Sequence, residues 1–373
     1  MKIIRFPILV LIVASLWSSW TSAQVYRQAW PDTDFSLTSI DLKEIMSGGP
    51  PKDGIPPIDN PSFDTVEQAS SWIAPLEPVI AVKLGTTSRA YPLQVMTWHE
   101  IVNDEVDGVP ISVTFCPLCN ASIVFDRRLA GTILDFGTTG LLRMSDLVMY
   151  DRQSESWWQQ FTGTAIVGEF TGQKLERIPS SIISFESFAE SAPDGWILSR
   201  DTGMSRPYGQ NPYPGYDDIN SSPFLFRGDT DSRLKPMERV LGVSIADQHK
   251  IYPFSSLQNK PIVEDRVGDT EILIVNSGQL LSALDQRDIS ESRMVGQINA
   301  WQRSAKDSDR SLSFNFEGGV LKDTETKSTW NALGIATAGP LEGQRLKSVD
   351  SGVHFAFAWM AFNPETSIYQ GDD

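Results

Sequence analysis

An internal repeat with a long period constrains this chain more than any other feature of its sequence. The stretch Arg89–Leu93 recurs as Lys250–Phe254, and Ile101–Asp104 recurs as Ile262–Asp265, both at an offset of 161 residues. Further on, a Gly-x-x-x-Gly-Gln-x-Leu pattern that begins at Gly168 recurs at an offset of 171 residues. A period this long is typical of two whole domains rather than of a solenoid of short repeats. The sequence therefore predicts a tandem duplication.

The repeat also predicts where the domains begin and end. The length of 373 residues exceeds what one core usually fills, which agrees with two domains. We expect a signal peptide at 1–23, an extended N-terminal segment at 24–62, a first repeat domain at 63–200, a Pro/Tyr/Gly-rich linker at 201–235, and a second, degenerate repeat domain at 236–373. The prolines and glycines of the linker indicate extended chain and turns pinned to the surface.

Local patterns predict a mainly β structure. Short runs of β-branched and aromatic residues, bounded by Gly, Pro and Asp, occur at Ile111–Phe115, at Ala121–Phe125 and, in the second copy, at Glu271–Asn276. Short helices are predicted at Leu93–Val102 and Phe185–Ser191. We therefore expect a mainly β fold with short helices (α+β), in which each copy forms a β-sandwich or barrel-like domain.

The N-terminus has the pattern of a secretory signal peptide. Lys2 and Arg5 precede an apolar run at Phe6–Trp17, and Thr21–Ala23 supplies small residues before a cut ahead of Gln24. The run is shorter than the roughly 20 residues that span a bilayer. We expect export to the periplasm or the extracellular space, with no membrane span after cleavage; an uncleaved anchor is the alternative.

The net charge narrows the expected partners. A formal charge of -16 excludes nucleic acid as an expected partner, because phosphate binding needs clustered Lys and Arg. It also argues against docking on anionic lipid. The hydrophobic fraction of 40% and the 11 tryptophans indicate a well-buried globular protein. Small-molecule and protein partners stay open.

The only two cysteines, Cys116 and Cys119, form a Cys-Pro-Leu-Cys turn in the first copy. A disulfide across so short a loop would stabilise the fold little, so a chemical role is favoured. Strand-like runs on both sides place the turn at a hairpin tip, where both thiolates can bind one metal ion. A thioredoxin-type motif would instead be followed by a helix, whose N-terminus lowers the pKa of the first thiol.

The remaining metal ligands are sought on the helix just upstream. His99 is the candidate nitrogen ligand, Met96 shares its helix face, and Glu100 follows it. The predicted ligands are therefore Cys116, Cys119 and His99, with Met96 or Glu100 as the fourth. Two thiolates, an imidazole and a thioether suit Cu(I), whereas a carboxylate in the set suits zinc. Copper is the first expected metal and zinc the second.

The second copy retains the scaffold pattern but none of these three ligands. At the offset of 161, His99, Cys116 and Cys119 fall on Lys260, Ser277 and Leu280. Joint absence is expected if the three residues serve one site.

Three other interpretations of the cysteine turn stay open. The first is a thiol-disulfide oxidoreductase that uses Cys116 and Cys119, with His99 as a nearby base; an oxidising compartment would hold this pair as a disulfide at rest. The second is a non-catalytic binding module formed by the degenerate copy and the linker. The third is an inert turn, with His99 capping its helix or bonding a backbone carbonyl.

Another group of ionisable residues lies between Arg143 and Glu155. It includes Asp146 and Asp151, and paired carboxylates at such a spacing can serve acid-base chemistry. The sequence favours a plainer interpretation, a surface turn in which Asp151 pairs with Arg152.

Together these motifs resemble a known bacterial family. The stretches that carry the resemblance are Tyr91–Leu93, His99–Asp104, Phe115–Cys119, Leu147–Arg152 and Arg239–Gly242, and linker residues such as Tyr213 and Tyr216. They are similar to the family catalogued as domain of unknown function 3179, and the similarity covers most of the chain after the signal peptide. The resemblance implies a secreted or periplasmic bacterial protein and brings no activity.

Overall fold

The structure is a computed structural model that describes residues 26–308 and 310–371. The predicted signal peptide, residues 1–23, lies outside the described residues. Strands hold 41% of the chain and helices 10%, which confirms the mainly β class with short helices. In the described part of the chain no sheet closes into a barrel, so the barrel-like form of the prediction is not found. No helix among these residues has the length and apolar character to cross a membrane.

The first half of the chain, up to residue 200, contains sixteen strands and three helices among its described residues. The strands are β1 (Ile45–Ser47), β2 (Phe63–Thr65), β3 (Pro78–Leu84), β4 (Thr87–Pro92), β5 (Ile101–Val106), β6 (Val109–Cys116), β7 (Ala121–Asp126), β8 (Arg128–Leu129), β9 (Thr132–Ile133), β10 (Phe136–Arg143), β11 (Asp146–Asp151), β12 (Trp157–Gln159), β13 (Thr164–Val167), β14 (Arg177–Ile178), β15 (Ser180–Ser184) and β16 (Trp196–Leu198). The helices are α1 (Val66–Ala69), α2 (Leu93–His99) and α3 (Phe185–Ser191), and a 3-10 turn lies at Leu42–Glu44.

The second half contains twelve strands and two helices among its described residues. The strands are β17 (Arg239–Ile245), β18 (Gln248–Pro253), β19 (Ile262–Val267), β20 (Thr270–Asn276), β21 (Ile298–Ala305), β22 (Phe314–Glu317), β23 (Val320–Asp323), β24 (Thr329–Trp330), β25 (Ala336–Ala338), β26 (Leu346–Ser348), β27 (Asp350–Phe355) and β28 (Ser367–Ile368). The helices are α4 (Phe254–Leu257) and α5 (Ala356–Phe362), and a 3-10 turn lies at Ile289–Glu291.

The strand order of three sheets in the first half recurs in the second half. The first-half sheets run β15-β3-β4-β16-β2, β14-β7-β6-β5 and β1-β10-β11-β12-β13. The second-half sheets run β27-β17-β18-β28, β26-β21-β20-β19 and β22-β23-β24-β25. Even the one parallel pairing of the first set, β16 with β4, has its counterpart in β28 with β18. The topology therefore recurs, while an origin by tandem duplication stays a prediction.

The two halves share a buried core. The largest apolar cluster holds residues from both halves. The ring of Phe161 stacks on that of Phe362 with centroids 4.7 Å apart, and it lies 4.8 Å from the ring of His354. At the edge of this contact Arg177 forms an ion pair of 2.8 Å with Asp350. The predicted domain boundaries stay a prediction, but the halves pack on each other through apolar side chains.

The helix α2 positions the approach to the cysteine hairpin. It begins after Pro92, whose φ of -62° already fits the first turn of a helix. It ends because Glu100 takes a φ of +58°, which no helix continues through. The chain then turns directly into β5, which pairs with β6.

Candidate metal centre

The Cys-Pro-Leu-Cys turn joins β6 to β7 at the tip of a hairpin. Cys116 is the last residue of β6 and pairs with Ala121, the first residue of β7. Asn120 takes a φ of +49°, and its N–H donates to the carbonyl oxygen of Pro117 at 3.2 Å, which closes the turn. A strand follows the cysteines, as the sequence predicted, so the turn does not begin a helix of its own as a thioredoxin-type motif would.

A second hairpin brings Asp146 to the same place. Met144 and Ser145 connect β10 to β11, and both have positive φ angles, 53° and 65°. Such a pair has the backbone twist of the favoured two-residue hairpin turns. The turn points the carbonyl oxygen of Ser145 at the sulfurs, 3.5 Å from Cys119 Sγ and 3.9 Å from Cys116 Sγ.

Cys116, Cys119 and Asp146 form the one group, among the residues described, whose potential metal-ligating atoms all lie within 4.8 Å of one another. None of the three is more than 2% exposed. Asp146 Oδ2 accepts hydrogen bonds from Gln159 Nε2 at 2.6 Å and from the N–H of Phe161 at 2.9 Å. Oδ1 is buried without any hydrogen-bond partner in the described chain. A buried carboxylate oxygen without a partner is costly, and this one is free to bind a further group.

Burial sets the protonation of the two thiols. It raises the pKa of Cys116 and raises that of Cys119 well above its usual value. Both thiols are therefore protonated at neutral pH, unlike the exposed, low-pKa thiols of redox enzymes.

Burial also dominates at the carboxyl. It raises the pKa of Asp146 to about 6, although the hydrogen bonds from Gln159 and Phe161 favour the ionised form. The two nearby thiols lower this pKa further, although they donate to the carbonyl oxygen of Ser145 and Oδ1 has no hydrogen-bond partner.

Glu100 is a further carboxyl that interacts electrostatically with the cysteine group. It is buried, and no described residue donates a hydrogen bond to its carboxyl group. Burial raises its pKa to about 8, with a further contribution from Asp146. Its charge also raises the pKa of Cys116. Glu100 thus interacts with the cysteine group from outside the 4.8 Å limit.

Both ring nitrogens of His99 bind other partners. Nδ1 lies 2.7 Å from the carbonyl oxygen of Pro56, which can only accept, so Nδ1 donates. Nε2 lies 2.6 Å from the hydroxyl of Tyr208 and accepts from it, because burial lowers the pKa of the ring and keeps it neutral. His99 is not part of the group whose ligand atoms lie within 4.8 Å of one another. The residue that joins Cys116 and Cys119 in that group is Asp146.

Met96 is fully buried in the core cluster that also contains both cysteines. Its role as a metal ligand stays a prediction.

A segment of the predicted linker covers the two hairpin tips, and we name residues 208–226 the strap. The hydroxyl of Tyr216 donates to the carbonyl oxygen of Leu118 at 3.0 Å. The hydroxyl of Ser145 donates to the carbonyl oxygen of Phe224 at 2.5 Å. The strap is therefore bonded to both hairpin turns, and its tyrosines pack against the cluster that contains the cysteines.

The second half also contacts the cysteine turn. The N–H of Phe355, at the end of β27, donates to the carbonyl oxygen of Cys119 at 3.0 Å. The ring of Phe355 also contacts Tyr216 of the strap at a centroid distance of 6.1 Å. The cysteine turn is thus enclosed by residues from three separate parts of the chain.

The sequence placed Asp146 in a cluster of ionisable residues but did not predict that it belongs to the cysteine group. Asp146 lies in the ionisable span that starts at Arg143, which the sequence interpreted as a surface turn. That interpretation is wrong, because Asp146 and Asp151 are both fully buried. Asp151 accepts a hydrogen bond from Trp158 Nε1 at 2.9 Å instead of pairing with Arg152.

Comparison with known proteins now adds the family. Residues 52–366 match the family described as Protein of unknown function (DUF3179). The chain belongs to this family. Both hairpins and the strap of this DUF3179 protein lie inside the matched range. No curated protein and no solved structure matches this DUF3179 chain at a significant level. Its function must therefore be argued from the site.

Proposed function

We propose that this DUF3179 protein binds one metal ion at Cys116, Cys119 and Asp146, and that the ion is zinc. The observation that carries the proposal is the buried carboxyl of Asp146: one of its oxygens lies within 4.8 Å of both sulfurs, and its Oδ1 has no hydrogen-bond partner among the described residues. A bound cation would use this oxygen, which otherwise loses a hydrogen bond on folding.

The spacing of the group fits a single ion. Zinc lies about 2.3 Å from a thiolate sulfur and about 2.0 Å from a carboxylate oxygen. In a tetrahedral site with these bond lengths, two ligand atoms of one ion are about 3.5–3.8 Å apart. The ligand atoms here lie within 4.8 Å of one another, so movements of at most about 1.3 Å bring them to that spacing.

The ligand types favour zinc over copper. Thiolates suit both metals, but a carboxylate oxygen is a hard ligand that Cu(I) binds poorly and zinc binds well. Replacing the predicted imidazole of His99 by the carboxylate of Asp146 therefore reverses the order of metals expected from the sequence.

Glu100 is the proposed fourth ligand. Structural zinc sites are almost always four-coordinate, and this buried carboxyl has no hydrogen-bond donor among the described residues. Its electrostatic interaction with Asp146 and Cys116 supports a position at the edge of the site.

Metal binding is expected to release protons. Thiols bind zinc as thiolates, and burial holds both Cys116 and Cys119 in the protonated form without metal. At neutral pH each ion bound therefore displaces two thiol protons and, because burial raises the pKa of the proposed fourth ligand Glu100 to about 8, a carboxyl proton as well. Affinity is therefore expected to rise with pH.

The oxidoreductase alternative receives less support. A dithiol enzyme needs an accessible thiolate as its nucleophile. Here both thiols are buried and have raised pKa values, and a strand stands where the redox motif needs a helix.

Export is part of the proposal. The signal-peptide pattern at residues 1–23 supports a periplasmic or extracellular protein. In such a compartment a buried metal site would also protect the thiols from oxidation, since metal-bound thiolates under a closed cover are inaccessible.

The test is to purify the exported protein without oxygen and to measure metal content and free thiols together. We expect one zinc per chain and no disulfide. Cys116→Ser should lose the metal while circular dichroism shows a retained fold. Ser277→Ala, which changes the equivalent position of the second half, is the matched control and should keep the metal.

Two outcomes would contradict the proposal. One is metal-free protein that also fails to take up added zinc after full reduction. The other is wild-type protein whose two cysteines are oxidised to a disulfide and catalyse thiol exchange in a reductase assay.

A further inference from the structure

The connection that follows β6 in the first half is much shorter than the connection that follows its counterpart, β20, in the second half. In the first half β6 and β7 are joined by residues 117–120, the cysteine turn. In the second half the equivalent strands, β20 and β21, are joined by residues 277–297. We name residues 277–297 the clamp loop. The second half thus has a long loop where the first half has its metal-binding turn.

The clamp loop holds the strap through backbone hydrogen bonds. The N–H of Asn211 donates to the carbonyl oxygen of Arg287 at 2.7 Å, and that of Gly215 donates to Asp285 at 2.6 Å. In the opposite direction, the N–H of Ile289 donates to the carbonyl oxygen of Gly209 at 3.1 Å. These bonds lie along the strap between its contacts with His99 and with the cysteine turn.

A buried charged residue of the strap anchors it more strongly. The side chain of Asp217 is fully buried. Its Oδ2 accepts from Arg239 Nη2 and from Ser282 Oγ, both at 2.6 Å, and pairs with Arg293 Nη2 at 2.8 Å. Ser282 and Arg293 belong to the clamp loop, and Arg239 begins β17. Among the described residues, those that bind the side chain of Asp217 therefore all belong to the second half, and Asp217 lies one residue after Tyr216, which meets the cysteine turn.

We propose that the second half acts as a clamp that keeps the strap closed over the metal site, with Asp217 as the positioning residue. This inference rests on the proposed function, because the access that the clamp controls is access to that metal site. In the second half, which lacks these ligands, the loop that stands at the position of the cysteine turn then has a different role.

The clamp acts on access through a short chain of contacts. Tyr216 is bonded to Leu118 between the two cysteines, and Asp217 follows it in the chain. Opening the strap therefore requires that Asp217 leave its three donors. A buried group reacts through such local openings, at a rate set by the fraction of open molecules.

The test is the rate at which the two thiols react with Ellman's reagent in metal-free, fully reduced protein. Asp217→Asn keeps the shape of the side chain but removes its charge. We expect it to speed the reaction at least about tenfold, which corresponds to about 1.4 kcal/mol in the opening equilibrium. The acceleration should appear without urea and depend only weakly on low urea concentrations, because local opening exposes little surface.

Asp265→Asn is the matched control. Asp265 is also bound by a cation and a hydroxyl, those of Lys250 and Tyr252, but it touches neither the strap nor the clamp loop. It should leave the thiol rate near that of the wild type. If both variants react at the same rate, or if the rate of Asp217→Asn rises with urea as steeply as global unfolding, the clamp is refuted.

A second variant keeps the inference testable if Asp217→Asn does not fold. Arg293→Met removes one donor to Asp217 from a half-exposed position and should give an intermediate acceleration. Release of zinc from loaded protein to EDTA should be accelerated in the same order. If wild-type protein binds no zinc, the metal function fails while the thiol rates still decide whether the clamp exists.

Discussion

The two halves of this protein repeat one framework but differ in chemistry. In each half a tyrosine hydroxyl and a cation bind one aspartate: Arg89, Tyr91 and Asp104 in the first half, and Lys250, Tyr252 and Asp265 in the second. In each half a buried aspartate accepts from a tryptophan Nε1: Asp151 from Trp158, and Asp323 from Trp330. These polar contacts belong to the framework because both halves retain them.

The residues of the cysteine group are absent from the second half. Cys116 and Cys119 fall on Ser277 and Leu280 at the offset of 161. The Asp151–Trp158 pair recurs at an offset of 172, and at that offset Asp146 falls on Gly318 in the two-residue turn between β22 and β23. All three residues of the cysteine group are therefore missing together at the equivalent positions of the second half.

This difference separates stability from function. Residues that hold the framework are expected to be needed in both halves, whereas residues that bind a ligand are needed only where the ligand is. The cysteine group follows the second pattern, because the equivalent positions of the second half hold other residues. There the clamp loop stands at the position of the cysteine turn. The predictions below test this separation, from the largest expected effect to the smallest.

The largest effect concerns the pH dependence of stability in metal-free protein. The pKa of Glu100 is about 8 in the folded state against 4.5 for an ordinary Glu side chain. Between these pH values the folded chain keeps a proton that the unfolded chain has lost, so stability falls as pH rises from about 4.5 to about 8. The full shift corresponds to a loss of roughly 3–5 kcal/mol.

Glu100→Gln should remove most of this dependence and make the metal-free protein more stable than wild type at pH 8. Urea unfolding at several pH values measures the effect. Glu105→Gln, an exposed neighbour, serves as the control and should change nothing. An equally steep pH dependence in Glu100→Gln would show that this carboxyl is not buried as a neutral acid.

The next effect is on metal affinity. Asp146→Asn keeps the side-chain shape but removes the charged ligand, and zinc affinity should fall about 100-fold, or about 2.7 kcal/mol. Competition with a chromophoric chelator measures it. Gly318→Asn is the counterpart in the second half, at a φ of +60° that Asn tolerates, and should leave affinity unchanged. Equal zinc affinities for the wild type and Asp146→Asn would show that Asp146 is not a zinc ligand.

A smaller effect distinguishes the two framework tyrosines. Tyr91→Phe should cost about 2 kcal/mol, and Tyr252→Phe about 1 kcal/mol. The reason is burial, because the side chain of Asp104 is 6% exposed and that of Asp265 is 21% exposed. Chemical denaturation compares the two variants. The reverse order would mean that the second-half framework is the more tightly packed one.

The last variant is expected to leave the zinc content unchanged. The double variant Ser277→Cys and Leu280→Cys restores both cysteines to the second half, but Gly318 supplies no carboxylate. Metal analysis should still give one zinc per chain. A second equivalent would show that two cysteines alone make the site, and that Asp146 is dispensable.

Local sequence patterns determined the framework. β-branched runs on both sides of Cys116 and Cys119 predicted the hairpin, because alternation and turn residues act over a few neighbouring positions. The recurrence of Tyr91 and Asp104 as Tyr252 and Asp265 predicted equivalent elements in the second half, which the sheet orders then repeat.

The identity of the third residue in the cysteine group was decided only by tertiary structure. His99 lies close to the cysteines along the chain, but Pro56 and Tyr208, both distant in sequence, bind its two nitrogens. Asp146 reaches the group because a separate hairpin packs its turn against the cysteine turn. Which side chains meet in a core depends on how sheets pack, and no spacing along one strand or helix encodes that arrangement.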